Sequence, residues 1–243
     1  MKKVSVLLVV LFCAITSTQA QFFGSKKITG NGKISHETRS TKDYQSIAVL
    51  GNLDVELVRG EEGRIKIEAE GNLIEYIRTS VVNNELTIRI KKGYSLRPSL
   101  RKRIAITVPF EDISEVSLSG SGDIHGTEPI KSNRLSTVVS GSGDIDLHVI
   151  TKTIIAKVSG SGDLKLYGKT NHFEVSVVGS GDVSAFELIT NTAETSVSGS
   201  GDIRLFVNDS LEATVAGSGD IHYKGNPINI EKSVAGSGTI SRE

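Results

Sequence analysis

The sequence has no tryptophan, one cysteine and four prolines among its 243 residues. The cysteine, Cys13, lies in an apolar run near the N-terminus, so we expect no disulfide in the folded part of the chain. Aromatic residues make up only 5% of the chain, whereas 25 glycines are typical of a chain with many tight turns. These features favour a β-rich protein over a helical or disulfide-stapled one.

The first 20 residues have the layout of a secretory signal peptide. Two lysines are followed by an apolar run over residues 4–15 and by small residues at 18–20, which predicts a mature chain that begins at Gln21. A lipoprotein acylated at Cys13 is less favoured because the bulky Phe12 precedes it. No later apolar segment is long enough to span a bilayer, so no transmembrane segment is expected after signal cleavage.

The charge balance argues against nucleic acid as a partner. Outside the predicted signal peptide the chain has two more acidic than basic residues. The basic excess precedes residue 115, and the acidic excess follows it. Nucleic-acid-binding domains are typically strongly basic, so we expect no nucleic-acid partner.

A short glycine motif occurs seven times in the second half of the chain. Four copies read SGSGDI or SGSGDL, and the last reads AGSGTI. The acidic position recurs with a period of about 19 residues, at Asp123, Asp144, Asp163, Asp182, Asp202 and Asp220, with Thr239 in the last copy. A chance turn would not keep this phase, so the pattern indicates a repeat architecture.

Apolar residues keep the phase of the motif and predict interior columns. One column stands two residues before the first glycine: Leu118, Val139, Val158, Val177, Val197, Val215 and Val234. A second follows the acidic position: Ile124, Ile145, Leu164, Val183, Ile203, Ile221 and Ile240. A third lies four residues before the first column in the later copies: Leu135, Ile154, Phe173, Ala193, Leu211 and Ile230.

The length of the repeat unit decides between two all-β architectures. A unit of about 19 residues cannot bury its own apolar face, but stacked units can. We therefore predict an all-β fold, a parallel β-solenoid (β-helix-like) with neighbouring coils ~4.8 Å apart, preceded by a less regular β-rich part. An antiparallel sandwich of hairpins is the alternative. The last coil is expected to be atypical and polar because no neighbour covers it.

Coils in register would bring the repeat aspartates into one column. Carboxylates ~5 Å apart repel each other by about 1 kcal/mol in water, so a compensating contact is needed. The favoured hypothesis is that each aspartate accepts hydrogen bonds from backbone N–H groups of its own turn. The alternative is a column that binds cations such as Ca²⁺: Asp123, Asp144, Asp163, Asp182, Asp202 and Asp220. No other cofactor is predicted.

The aspartates also raise the alternative of a carbohydrate-active β-helix enzyme, because glycosidases use paired carboxyl groups. Acid and base roles need two different environments, whereas the repeat gives these residues equivalent ones. We therefore assign no catalytic residue and predict a protein that is not an enzyme. Scarce aromatic residues argue mildly against sugar-stacking platforms, with Tyr167 and Tyr223 as individual candidates.

The predicted organisation has four parts: a signal peptide (1–20), a lead-in (21–39), an irregular β-rich part (40–115) and a continuous GSGD-repeat solenoid (116–243). Between two predicted strands of the irregular part lies a basic segment that contains Lys91, Lys92, Arg97, Arg101, Lys102 and Arg103. The favoured interpretation is an exposed loop kept soluble by its charge. The alternative is a docking patch for anionic polysaccharide or lipid headgroups.

The order of these features resembles one known family. A strand ending at Gly51-Asn52, the segment NNELTI from Asn83, the pair Val108-Pro109 and the iterated GSGD coils are similar to the putative auto-transporter adhesin, head GIN domain family. The resemblance covers roughly residues 40–240. It implies an exported or envelope-associated bacterial protein with a β-solenoid fold, and it implies no catalytic residues.

We therefore expect a non-enzymatic, extracytoplasmic β-solenoid that acts as an adhesin or a cell-envelope interaction protein. A long regular surface with equivalent sites suits weak multivalent contact better than chemistry at one point. The expected partners are envelope or surface polysaccharide or protein, with peripheral envelope contact. The expected location is the periplasm, the outer-membrane surface or the cell exterior. A carbohydrate-active enzyme and a periplasmic structural scaffold are the alternatives.

Overall fold

The structure, a computed structural model, describes residues 25–243. The predicted signal peptide and the start of the predicted lead-in lie outside the described residues. The part before the repeat contains β1 (Lys26–Thr29), β2 (Ile34–Ser40), β3 (Ser46–Gly51), β4 (Asp54–Arg59), β5 (Arg64–Glu70), helix α1 (Gly71–Ile74), β6 (Ile77–Val82), β7 (Glu85–Ile90), β8 (Tyr94–Arg97) and β9 (Ala105–Phe110). Strands β1 and β2 thus extend into the predicted lead-in.

The repeat region consists of strands joined by the glycine motifs. Its strands are β10 (Glu115–Gly120), β11 (Ile124–Gly141), β12 (Ile145–Gly160), β13 (Leu164–Gly179), β14 (Val183–Gly199), β15 (Ile203–Gly217), β16 (Ile221–Lys224), β17 (Asn229–Gly236) and β18 (Ile240–Arg242). Each of the strands β11 to β15 forms one coil, from the residue after one repeat aspartate to the first glycine of the next motif.

Successive coils pair in parallel and in register around the glycine motif, with local register shifts farther along the strands β11, β13, β14 and β15. Val158 of β12 lies opposite Val139 of β11 on one side and Val177 of β13 on the other. The backbone hydrogen bonds therefore run from coil to coil along the solenoid axis. The predicted parallel β-solenoid is confirmed, and the antiparallel sandwich is wrong for the repeat region.

The three predicted apolar columns form the interior, except in the last coil. From Leu118 to Val215 the first column is at most 1% exposed, and over the same coils no member of the other two columns is more than 3% exposed. In the last coil Ile230 and Val234 are 42% and 47% exposed because no further coil covers them. The expectation of a polar last coil is therefore only partly right.

Strands β11 to β14 bend at a corner marked by a small hydroxyl residue, and Val207 takes that position in β15. In β12 the buried positions alternate up to Thr151, then two outward residues follow, and alternation resumes at Ile154. The Thr151 hydroxyl donates to that of Thr170 in the next coil (3.0 Å), and the Thr170 hydroxyl lies 3.1 Å from the carbonyl oxygen of His172. The corner separates two outer faces of the solenoid, one on either side.

The part before the repeat supplies an incomplete first coil and covers it. Strand β3 pairs in parallel with β10, and β4 pairs with the start of β11, so these strands extend the solenoid at its N-terminal end. Strands β7 and β6 extend the sheet beyond β3, while β9, β5 and β2 extend it beyond β4. The core is continuous across residue 115, and the division into parts at that residue stays a prediction.

Candidate functional site

The structure brings the six repeat aspartates together along one edge of the solenoid, here called the aspartate edge. In each case an Oδ1 oxygen accepts the backbone N–H of the equivalent residue one coil later, from Asp144 onto Asp123 (3.2 Å) up to Asp220 onto Asp202 (2.9 Å). The donor belongs to the next coil and not to the same turn. The predicted bond within each aspartate's own turn is therefore wrong, because the stacked turns bring the N–H of the next coil within hydrogen-bond distance of each carboxylate.

The same edge explains why two glycines are needed in each motif. The carbonyl oxygen of Gly141 accepts N–H groups from both Ser161 and Gly162 of the next coil, at 2.8 and 3.0 Å. A Cβ atom on Gly162 would lie 2.1 Å from the carbonyl oxygen of Gly143. Gly160 has a φ of 120°, a conformation that L side chains rarely adopt. The glycines of the motif thus allow successive turns to stack closely on one another.

Two residues outside the predicted set complete the aspartate edge. Asp54, the first residue of β4, accepts the N–H of Asp123 (3.3 Å), so 51-GNLDV-55 is a degenerate first copy of the motif. At the other end Thr239 donates both its N–H (2.7 Å) and its hydroxyl (2.8 Å) to Asp220 Oδ1. The pairing of Gly51 with Gly120 was detectable in the sequence only from the alternating strands around it.

The remaining carboxylate oxygens of the aspartate edge face solvent, and one arginine lies among them. Arg204 contacts Asp202 Oδ2 at 3.1 Å and Asp182 Oδ2 at 3.7 Å. Among residues 25–243, no three His, Cys, Asp or Glu side chains converge in an arrangement that would hold a metal ion. The cation column stays a prediction, with the inter-coil N–H bonds as the contact that offsets the carboxylate repulsion at each step.

A second candidate surface consists of aromatic residues on the outer face that follows the aspartate edge. We call it the ring stripe, and its members, each half-buried and four residues after a repeat aspartate, are His148, Tyr167, Phe186 and Phe206. The rings of His148 and Tyr167 are stacked with centroids 4.8 Å apart. The register places Tyr167 directly opposite His148 on the preceding coil. It shifts around Phe186, and Phe206 lies opposite Ile189, so the other two rings share the spacing from the aspartate and not one ladder position.

Charged side chains flank the ring stripe. The Lys224 ammonium lies 4.1 Å from the centroid of the Phe186 ring, and that of Lys165 lies 5.8 Å from the Tyr167 ring. Lys165 also contacts Asp146 at 3.5 Å. Burial raises the pKa of Tyr167, and the nearby charge of Asp146 raises it further, so the hydroxyl stays a neutral hydrogen-bonding group.

Of the two tyrosines singled out from the sequence, only one lies on this surface. Tyr167 belongs to the ring stripe, whereas Tyr223 is 4% exposed and packs in the interior of its coil. Phe186 and Phe206 were missed. Their common spacing from the repeat aspartate is the signal that identifies them, because that phase places a side chain outside the solenoid.

A third candidate is a cleft of about 360 Å³ where β4, β9 and the start of β11 meet, here called the junction cleft. Its charged lining residues are Asp54, Glu56, Arg103, Asp123 and His125. Burial raises the pKa of Asp54; the charge of Asp123 acts in the same direction, while the hydrogen bond from the Asp123 N–H and the charge of Arg103 oppose it. Asp54 and Asp123 are thus two neighbouring carboxyl groups in unlike environments, which the sequence did not predict.

The predicted basic segment is exposed and lies beside the first coil. We call residues 91–103 the basic loop; its six cationic side chains all face solvent. Strand β8 within it pairs in parallel with β1, which places Lys26 opposite Tyr94 and brings further positive charge to the same surface.

Comparisons with known proteins agree on one family and one fold. A family model described as the putative auto-transporter adhesin, head GIN domain, matches residues 43–227. A putative adhesin from Bacteroides fragilis is 27% identical, with a TM-score of 0.79, over 89% of this chain and 100% of that chain. A putative lipid binding protein from Parabacteroides distasonis is 28% identical, with a TM-score of 0.73, over 90% of this chain and 100% of that one.

A putative adhesin from Parabacteroides distasonis, 23% identical with a TM-score of 0.68, covers 90% of this chain with 100% of its own and shares the fold. No curated protein matches the chain. Within residues 25–243 the structure contains no helix of the length and apolarity that a membrane crossing requires.

Proposed function

The chain belongs to the putative auto-transporter adhesin, head GIN domain family, and on that premise we propose that it is an exported, non-enzymatic adhesin of the cell envelope. The proposed partner is an envelope or cell-surface polymer, a polysaccharide or a protein, which binds along an outer face of the solenoid. Export depends on the predicted signal peptide over residues 1–20, and the proposed location is the outer surface of the cell.

The observation that carries this proposal is the ring stripe. Its rings stand at the same spacing from the repeat aspartate on four successive coils and are half-exposed, and Tyr167 and Phe186 each lie beside a lysine ammonium. Aromatic and basic side chains dominate the energetics of many binding surfaces. A partner with its own repeating units meets several equivalent contacts at once, so weak individual contacts sum to useful avidity.

The similar solved structures support contact with the envelope. One of those proteins bears the name of an adhesin and the other that of a lipid binding protein, at 27% and 28% identity. A periplasmic scaffold without a ligand would not need a flanked aromatic stripe on its outer face.

A carbohydrate-active enzyme is the second candidate, and the junction cleft is the observation that favours it. Asp54 and Asp123 differ in environment, as the acid and base of a glycosidase must. Against this, the cleft is an open junction whose carboxyl groups are already hydrogen-bonded to the neighbouring turn. Turnover of a polysaccharide that disappears in Asp54→Asn, with binding through the ring stripe intact, would establish the enzyme and end the proposal of a purely adhesive role.

The test is binding of the purified exported protein to whole cells and to envelope polysaccharide. We expect the double variant Tyr167→Ala, Phe186→Ala to bind at least about tenfold more weakly, since two aromatic anchors are removed. The control is Ile155→Ala, Val178→Ala, which removes two solvent-accessible apolar side chains beyond the corner. Equal binding by both double variants would overturn the ring stripe as the adhesive face.

A further inference from the structure

The basic loop presents a leucine at the tip of a tight turn. The Lys102 N–H donates to the Ser99 carbonyl oxygen at 2.9 Å, which closes a four-residue turn around Leu100 and Arg101. Arg101 has a φ of 62°, the left-handed conformation in which glycine is usual. Leu100 is 89% exposed, the highest value among the exposed large hydrophobic side chains of the described chain. A leucine in this position contributes nothing to the core.

A buried carboxylate holds this turn in place from below. Glu70 is fully buried and accepts hydrogen bonds from the Ser99 N–H (2.7 Å), the Ser99 hydroxyl (2.6 Å) and the N–H of Gly32. The bonds from Ser99 and Gly32 and the nearby charge of Lys102 lower the pKa of Glu70 against the opposing effect of burial, so it stays ionised at neutral pH. The tip is therefore fixed by a network that includes a buried charge, and it is not a loose loop end.

Positive charge is concentrated on this part of the surface, where the charge of Lys102 acts on the buried Glu70 and that of Arg103 on Asp54. Eight exposed cations lie on the basic loop and on the paired strand β1: Lys26, Lys27, Lys91, Lys92, Arg97, Arg101, Lys102 and Arg103. None of them forms an ion pair with a carboxylate in residues 25–243. Clusters of this kind create a local positive potential that attracts anionic surfaces.

From this arrangement we propose that the turn at residues 99–102 docks onto an anionic lipid surface, with Leu100 in the boundary between headgroups and acyl chains and the surrounding cations on lipid phosphates. The apolar tip decides between the two anionic partners that the charge allows. A hydrated acidic polysaccharide has no apolar region in which a leucine side chain is buried, whereas a lipid surface removes that side chain from water. The inference goes beyond the adhesion proposed above, uses a different surface and rests only on the chain being exported to an envelope.

The test is co-sedimentation of the exported protein with vesicles of phosphatidylglycerol and of phosphatidylcholine at low salt. We expect binding to phosphatidylglycerol alone, weakened by added salt because surface charges are screened. Leu100→Ser should lower the affinity about tenfold, as expected for one leucine removed from water. Arg101→Gln and Lys102→Gln should each lower it about fivefold.

Matched variants elsewhere on the molecule serve as controls. Val178→Ser removes an exposed apolar residue and Lys157→Gln an exposed cation, both far from the basic loop, and neither should change vesicle binding. Thermal melting of each variant separates lost docking from lost folding. The ring-stripe variants should also bind vesicles normally, so failure of the adhesion proposal and failure of this one are distinguishable.

Three results would each overturn the inference. The first is equal binding to both kinds of vesicle, and the second is no binding to either. The third is a Leu100→Ser variant that keeps full affinity for phosphatidylglycerol while the charge variants lose it. In that third case, retention of the protein on dextran sulfate is measured as well. If Leu100→Ser does not change that retention either, the surface is assigned to anionic polysaccharide instead.

Discussion

One carboxylate oxygen in each turn links a coil to the next along the aspartate edge. The bond from the N–H of Asp163 to Asp144 Oδ1 (2.9 Å) is repeated at every step, so the charge that repels its neighbour also accepts the neighbour's donor. Hydrogen bonds to a charged acceptor typically contribute about 1.5–3 kcal/mol, more than the repulsion between exposed carboxylates. The column is therefore compatible with a stable edge even when no ion is bound.

Thr239 ends the aspartate edge, and its removal should be visible in the acid stability of the protein. The pKa of Asp220 is lowered by the Thr239 hydroxyl and N–H, so Asp220 stabilises the folded state above its unfolded pKa and loses that contribution as the pH falls through its folded pKa. Thr239→Val removes the hydroxyl bond and should move the acid limb of the melting-temperature profile to higher pH. The exposed Thr214→Val is the control, and an acid limb that is the same in both variants would refute this role.

The second glycine of the motif should tolerate no side chain. In Gly162→Ala the new Cβ would lie 2.1 Å from a backbone oxygen of the preceding coil, so the coils must move apart. We expect a loss of about 3 kcal/mol in the free energy of unfolding, at the upper end for overpacking because the obstructing atom is backbone. Gly60→Ala, whose nearest atom would be 3.8 Å away, should change it by less than about 1 kcal/mol. Urea unfolding checks both, and equal stabilities would contradict the packing argument.

At this scale the sequence predicted the positions of the motif but not the partners of its atoms. The phase of the repeat was enough to align the six aspartates, whereas the choice between the same turn and the next coil depends on how closely two backbones approach. Asp54 escaped detection because the first copy has Leu53 where later copies have glycine. No repeat coil precedes Leu53, so no backbone of such a coil obstructs its Cβ atom. The leucine side chain is tolerated there and is fully buried.

At the scale of the strand, the alternation of inward and outward residues can be tested with two adjacent valines. Val177 is fully buried between Val158 and Val197, whereas Val178 is 52% exposed. Val177→Asp places a carboxyl group in the core and should cost at least about 4 kcal/mol of unfolding free energy. Val178→Asp should change it by about 0.5 kcal/mol or less. Chemical denaturation compares them, and a stable Val177→Asp would contradict the face assignment.

The last coil is protected by an inward lysine in place of a further coil. Lys232 occupies the column of the buried Ala213, and its ammonium lies 4.7 Å from the Tyr223 ring and 3.1 Å from the carbonyl oxygen of Ile240. Inward charges of this kind keep exposed strand edges from pairing with other chains. The charge lies directly beside the exposed apolar positions of the coil.

Removing that charge should promote self-association. We expect Lys232→Val to raise the weight-average mass in analytical ultracentrifugation as the protein concentration rises, relative to the unchanged protein. Lys157→Val, which replaces an exposed lysine in the middle of the solenoid, should leave the mass unchanged. A Lys232→Val variant that behaves like the unchanged protein at every concentration would show that the end is protected by other means.

Periodicity made the elements of the repeat predictable, while their boundaries with the rest of the chain were not. Each interior column follows from a fixed phase, and the structure confirms it from Leu118 to Val215. Val234 has the same phase and yet is half-exposed, because burial depends on the presence of a next coil. The corner hydroxyls of Thr151, Thr170 and Thr190 were also missed, since a single buried threonine in a coil does not alter the apolar pattern.

On the scale of the whole molecule, the chain separates its surfaces by position along and around the solenoid. The basic loop lies beside the first coil, the aspartate edge runs along one side, and the ring stripe lies on the adjoining face. The composition shows that aromatic residues are scarce, but it could not show that four half-exposed rings lie on one outer face. The register between coils brings His148 and Tyr167, 19 positions apart, into contact, and the bulges around Phe186 could not be read from the sequence.

The proposed location on the outer surface of the cell is tested by trypsin treatment of intact host cells, followed by immunoblotting for the protein. Purified protein under the same conditions serves as a control, since the exposed Lys42, in the loop between β2 and β3 and outside the basic loop, should be cleaved in solution and stays accessible when the turn at residues 99–102 is docked. A periplasmic marker that survives shows that the cells are intact. An adhesin on the outer surface predicts loss of the full-length band while the marker survives. Full protection until the outer membrane is opened, with the purified protein cleaved as expected, would contradict adhesion to partners outside the cell.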